Sequence, residues 1–140
     1  MVLVGKKNYF YKKLEQFIQK NNITDVILTD FISDQNLPTI YQNALAYVFP
    51  SLYEGFGLPP LEAMTFNLPV LSSNTSCLPE ILDQAALYFD PEKTENISNV
   101  LNRLITDPNL RSQLISLGQE RIKLFSWQNC AQLTLLAYLK

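Results

Sequence analysis

Two consecutive prolines, Pro59 and Pro60, constrain the fold of this chain more than any other feature. Each lacks a backbone N–H and holds φ near about −65°, so the pair fits a helix only in its first turn, where amides have no intrahelical acceptor. Upstream, Tyr47-Val48-Phe49 is a short, apolar, β-prone run that Pro50 stops. Downstream, a helix of about two turns is predicted from Pro59 to about Phe66. Ser51 to Leu58 is then a strand-to-helix loop carrying Glu54, Gly55 and Gly57.

That loop has chemistry available to it. A helix N-terminus presents free N–H groups and the positive end of a dipole, worth about 0.3–1 kcal/mol per well-placed charge. The two prolines donate nothing, which leaves the amides of Gly55, Phe56, Gly57 and Leu58 as an anion cradle. Glycine lets the backbone approach a ligand closely and adopt positive φ. Glu54 lies in the loop and Glu62 one turn into the helix. Each feature has a plain reading by itself: Glu62 as a charge placed for the dipole, Glu54 as a solvated loop carboxylate, and Gly-Phe-Gly as a turn. Their combination, with a strand before and a helix after, points to a ligand.

The rest of the chain repeats the alternation. Met1 to Gly5 reads as a buried strand ending in a glycine turn. Lys6 to Lys20 reads as a helix with Phe10, Leu14, Phe17 and Ile18 on its packed face. Val26-Ile27-Leu28 is a second strand, Thr29 to Ser33 its following loop, and Asp34 to Ala44 a helix burying Leu37, Ile40, Tyr41 and Leu45. Val70 to Ser73 is a buried strand, Asn74 to Cys77 a polar loop, Leu78 to Leu82 a short helix and Leu87-Tyr88-Phe89 the last strand. Three helices follow, at about Thr94 to Thr106, Asn109 to Leu124 and Trp127 to Leu139, with Asp107 or Pro108 starting the second and Ser126 capping the third. Arg103, Arg111, Arg121 and Lys123 read as solvated helix faces. The predicted fold class is α/β, a Rossmann-like open parallel sheet with helices on both faces. Ligands bind such sheets outside the C-terminal strand ends, so the Thr29–Ser33, Glu54 and Ser73–Cys77 loops should line one edge.

Composition narrows the function. At 140 residues, 47% hydrophobic and 17% charged, the chain has the makeup of one compact domain. Its net charge of −2 argues against nucleic acid as a partner. No apolar run approaches the roughly 20 residues of a membrane span and the N-terminus lacks a signal-peptide pattern, so the cytoplasm is the expected location. There is no histidine, which excludes Ser-His-Asp and Cys-His chemistry and any His-ligated metal within the chain. Cys77 and Cys130 have no CxxC spacing and read as two reduced thiols.

The stretch Glu54-Gly55-Phe56-Gly57-Leu58-Pro59-Pro60-Leu61-Glu62-Ala63-Met64 resembles the E-x7-E signature of retaining glycosyltransferases of family 4, which have the GT-B fold. The similarity extends through Asn67 to Val70, Ser73 to Glu80, Phe89-Asp90-Pro91 and Phe125-Ser126-Trp127. The resemblance implies that residues 1–140 are a partial C-terminal, donor-binding domain, half of a GT-B fold. It implies that Glu54 contacts hydroxyls of the donor sugar, with a catalytic role considered for it. Gly55, Phe56, Gly57 and Leu58 would meet the sugar and diphosphate, Glu62 the ribose hydroxyls, and Ile32 and Ser33 the base. The co-substrate would be a nucleotide sugar with UDP or GDP; no metal is required. The acceptor, a glycan or lipid-linked molecule in cell-envelope polysaccharide assembly, would bind a missing N-terminal domain, and the full enzyme would sit in the cytoplasm, peripheral to the inner face of the membrane.

One departure matters. The family's C-terminal domain begins with a strand and helix carrying an arginine and a lysine that clamp the diphosphate, whereas Lys6 and Lys7 here follow a different strand. The chain therefore reads either as the donor-binding part of a glycosyltransferase, inactive in isolation, or as a non-catalytic remnant or nucleotide-sugar-binding module. A glycoside hydrolase using Glu54 and Glu62 as a carboxylate pair is a third reading, with no use for the proline-braced anion loop. A truncated edge also predicts self-association.

Overall fold

The computed structural model describes residues 1–139. The elements are β1 (Val2–Leu3), α1 (Tyr9–Lys20), β2 (Ile27–Leu28), α2 (Leu37–Gln42), β3 (Tyr47–Phe49), α3 (Leu58–Thr65) and β4 (Val70–Ser73). There follow α4 (Leu78–Leu82), a 3₁₀ turn (Asp83–Ala85), β5 (Ala86–Phe89), α5 (Thr94–Thr106), α6 (Pro108–Ile122) and α7 (Trp127–Tyr138). The chain divides into two units, Met1–Ile40 and the residues from Tyr41 onward, the boundary falling within α2.

In the first unit β1 and β2 pair in parallel, Val2 beside Ile27 and Leu3 beside Leu28. The first strand is shorter than the predicted Met1–Gly5, and the first helix begins at Tyr9 instead of Lys6. Asn8 sets that boundary: its Oδ1 accepts from the Tyr11 N–H at 2.9 Å, an N-cap. The expected packed face of α1 is not buried in this chain, since Phe10 is 75% and Phe17 58% exposed. The α2 helix begins at Leu37, three residues later than predicted, because residues 34–36 form a turn in which the N–H groups of Asn36 and Leu37 share the Ser33 carbonyl. Leu45, expected on its inner face, lies beyond its end and is 54% exposed.

The second unit is built on a parallel sheet in the order β3-β4-β5, with Tyr47 beside Val70 and Val70 beside Ala86. All four residues of the central β4 are buried, as a strand covered on both faces requires. Side chains alternate across the sheet. Leu71 and Phe89 form a core with Leu104 of α5 and Leu114 of α6, and Val48 and Leu87 pack against it. Burying each such side chain contributes about 1.5–3 kcal/mol. Tyr47 and Phe49, on the other face of β3, stack on one another with ring centroids 6.0 Å apart.

Helix α3 packs on α6. Gly118 makes the approach possible, because a Cβ there would lie 3.0 Å from Met64 Cγ. Gln119 Nε2 donates to the Met64 carbonyl at 2.6 Å across the same contact. The helix starts at Asp107 and Ser126 appear as predicted: Asp107 Oδ1 accepts from Leu110 N–H and Ser126 Oγ from Asn129 N–H.

Two arginines depart from the prediction of solvated helix faces. Arg111 donates through Nη1 to the carbonyls of Leu104 and Ile105 near the end of α5. Arg121 donates to the carbonyls of Ile81 and Glu80 at 2.8 and 2.6 Å. Both supply donors to the last turns of helices, whose carbonyls lack intrahelical partners. No residue of α7 is buried; Trp127 at its start is 83% exposed.

Candidate functional site

The loop between β3 and α3 is the candidate site. Gly57 is the N-cap of α3 and lies at φ 90, ψ 54, in the left-handed region. That turn needs glycine twice over: the conformation is costly for an L-residue, and an added Cβ would lie 2.6 Å from Cδ2 of the buried Leu78. The helix begins at Leu58, one residue earlier than predicted, with Pro59 and Pro60 in its first turn. Among the described residues no hydrogen bond engages the amides of Gly55, Phe56, Gly57 or Leu58. Four consecutive free N–H groups at a helix start are what an anion cradle requires.

Glu54 is half-buried and Glu62 exposed. Tyr41 joins Glu62 to the sheet: its hydroxyl donates to Glu62 Oε2 at 3.4 Å, and its ring stacks on Phe66 and meets Tyr47 edge-on. Burial, reinforced by the Glu62 carboxylate, pushes the Tyr41 phenol up to about 12. Tyr47 is pushed up as well, chiefly by burial, with Tyr41, Glu62 and Glu54 adding to it in that order. Both motif carboxylates thus act on one phenol, and the fold brings them to one region of the second unit.

The loop is braced from two directions that the sequence did not reveal. Ser76, after β4, donates its hydroxyl to the Glu54 carbonyl at 2.7 Å and accepts from the Glu54 N–H at 3.3 Å. Cys77 Sγ donates to the same carbonyl at 3.2 Å. Ser73 and Thr75 both donate to the Ser51 carbonyl. From the other side Phe125 meets Phe56 edge-on, centroids 5.6 Å apart, and Arg121 lies over the Phe125 ring at 5.4 Å. The expected meeting of the loops after β3 and β4 is therefore observed. The cluster of hydroxyl side chains at Ser72, Ser73, Thr75 and Ser76 was the available signal.

Ile32 and Ser33 belong to the first unit, where they line an open cavity of about 520 Å³ with Phe31, Asn36, Thr39 and Ile40. The Ser33 carbonyl is taken by the turn into α2, while the backbone groups of Ile32 make no hydrogen bond among the described residues. Next to them, Asp30 Oδ1 accepts from the Phe31 and Lys7 amides, and these two bonds hold its carboxyl below the usual range.

Parallel strands with helices on both sides and a glycine-turned loop at the C-terminal end of β3 define a Rossmann-like protein of the kind that makes up GT-B glycosyltransferases. The chain belongs to the family of glycosyl transferases group 1, whose model matches residues 1–121. It is 41% identical over 139 residues to the O-antigen chain mannosyltransferase B of Escherichia coli, covering 99% of this chain and 36% of that protein. It is 37% identical over 112 residues to the serotype-specific mannosyltransferase WbdA of Escherichia coli, covering 80% of this chain and 14% of WbdA. Among solved structures it superposes on sucrose-phosphate synthase from Thermosynechococcus elongatus with a TM-score of 0.85 at 28% identity, covering 98% of this chain and 37% of that one. The chain thus spans about a third or less of the length of these relatives.

Proposed function

We propose that this chain is the donor-binding part of a retaining glycosyltransferase of family 4, which transfers a sugar from a nucleotide sugar to an acceptor with retention of anomeric configuration. The observation that carries the reading is the run of four free amides at Gly55 to Leu58, turned by Gly57 and flanked by Glu54 and Glu62. In it, those amides meet the sugar and the diphosphate and stabilise charge on the departing group. Glu54 faces the sugar hydroxyls, where its catalytic role would lie, and Glu62 the ribose diol. A carboxylate beside a diphosphate is repelled by several kcal/mol in a poorly hydrated cleft unless it is aimed at neutral donors, and hydroxyls are such donors. Ile32 and Ser33 are assigned to the base. The chemistry draws on backbone dipoles and needs no metal.

The relatives' names favour mannose as the transferred sugar and a glycan of the cell envelope as the product. UDP and GDP are the candidate nucleotides. The acceptor belongs to sequence outside this chain, which in isolation binds donor without turnover and associates through the apolar faces of α1 and α7. In the full enzyme those faces are covered, and the enzyme works in the cytoplasm beside the inner face of the membrane.

Calorimetric titration of the chain with UDP, GDP, ADP and their hexose conjugates tests the reading. Saturable binding of one nucleotide is expected, weakened roughly tenfold or more by Glu62→Ala, which removes a charged hydrogen-bond acceptor. Equal affinity in the wild type and Glu62→Ala would refute the assignment of Glu62. Absence of binding at millimolar ligand would favour the non-catalytic remnant.

A further inference from the structure

Glu54 is held through its backbone by the loop after β4, where the Cys77 thiol shares the Glu54 carbonyl with Ser76 and the Ser76 hydroxyl alone reaches the Glu54 N–H as well. Ser76 Oγ donates to the Glu54 carbonyl and accepts from the Glu54 N–H, so one side chain engages both polar groups of one residue. Ser76 itself stands at φ 56, a left-handed conformation that disfavours any residue with a Cβ. A loop that needed only to turn here would be better served by glycine; the hydroxyl is what glycine lacks. Ser76 is exposed, so its place is not explained by core packing. On the other side of Glu54, a Cβ built on Gly55 meets nothing within 4 Å, and the Gly55 amide is free. Apart from the Cys77 thiol on the Glu54 carbonyl, no other side-chain hydrogen bond among the described residues reaches the backbone of Glu54 or Gly55.

We infer that Ser76 is the positioning residue for Glu54: its hydroxyl fixes the backbone of Glu54 and thereby aims the carboxylate and the Gly55 amide at one ligand position. The inference rests on the reading above that Glu54 meets the donor sugar. It adds the source of that geometry, a strained serine whose removal should loosen the site without loosening the fold.

The test compares Ser76→Gly, Ser76→Asn and Glu54→Gln with the wild-type chain in two measurements. The first is amide hydrogen exchange at Glu54 in the ligand-free protein. Ser76→Gly relieves the backbone strain while removing the hydroxyl, so its thermal midpoint should match or exceed the wild type, yet exchange at Glu54 should quicken about three- to tenfold, the equivalent of one hydrogen bond. Asparagine tolerates positive φ and carries both a donor and an acceptor, so Ser76→Asn should restore much of the protection. Unchanged exchange in Ser76→Gly overturns the inference whatever the ligand does. The second measurement is the ratio of affinities for GDP-mannose over GDP and for UDP-glucose over UDP. Ser76→Gly and Glu54→Gln should both lower the ratio for the sugar that binds. A ratio lowered by Glu54→Gln and untouched by Ser76→Gly also overturns the inference. If Glu54→Gln leaves the ratio unchanged, the donor-sugar reading of Glu54 fails, and exchange alone decides whether Ser76 positions the residue.

Discussion

Replacing Gly57 by alanine should damage the fold in two separable ways. The first is conformational: φ 90 lies where a Cβ costs about 1–2 kcal/mol. The second is steric, because the new Cβ would lie 2.6 Å from Leu78 Cδ2, and Leu78 is fully buried, so its side chain can yield only by displacing its neighbours. Overpacking of that kind costs about 1–3 kcal/mol. Together they predict a loss of about 2–5 kcal/mol from a total stability of about 5–15 kcal/mol, or a fall in thermal midpoint of roughly 6–15 °C. Thermal unfolding followed by circular dichroism measures it, with Gly55→Ala as the control. A Cβ at Gly55 meets nothing, so that variant should stay within about 0.5 kcal/mol of the wild type. The two contributions separate in a double-mutant cycle with Leu78→Ala, which removes the clash and leaves the conformational cost. The pair should be less destabilising than the sum of its members by about 1–3 kcal/mol. A Gly57→Ala protein that melts within about 2 °C of Gly55→Ala would refute the reasoning, and with it the claim that this turn is built on a left-handed glycine.

Arg121→Gln should destabilise by roughly 2 kcal/mol, because the Glu80 and Ile81 carbonyls lose a forked donor; Arg121→Lys should recover less than half of this, and full recovery in a denaturant titration would count against the fork. Its ion pair with the exposed Asp83, at 3.9 Å, should contribute little, so Asp83→Asn should leave the midpoint nearly unchanged. Asp107→Ala removes the N-cap of α6 and should cost about 1 kcal/mol by the same measurement, with a neutral result excluding the cap. Tyr41 has a folded-state pKa raised from 10.0 to about 12, first by burial and then by Glu62. The fold therefore favours the protonated phenol, whose contribution is fully present below about pH 10 and lost as pH rises through about 12. Tyr41→Phe should remove that part of the alkaline loss of stability; an unaltered alkaline slope in the variant would show that Tyr41 titrates like a free tyrosine.

How much could be read beforehand follows from the range of each interaction. Pro59 and Pro60 placed the start of α3 to within one residue, since the missing N–H acts on the proline's own turn. The caps at Asp107 and Ser126 were equally legible, because an N-cap bond spans three residues. Asn8 is a cap of the same kind, and it starts α1 three residues after the predicted Lys6. The face of α1 is apolar as predicted, but it is exposed in this chain. Periodicity identifies such a face but cannot supply the surface that covers it.

The sequence by itself determined the alternation of strands and helices, the proline-stopped loop and the two carboxylates with seven residues between them, because these depend on local backbone chemistry. Tertiary structure alone decided what holds that loop. Ser76 grips Glu54 across 22 residues, and Arg121 reaches Glu80 across 41. Contacts at such separations exist only once parallel strands have brought β3, β4 and α6 together, and no spacing in the chain records which hydroxyl or guanidinium will face which carbonyl.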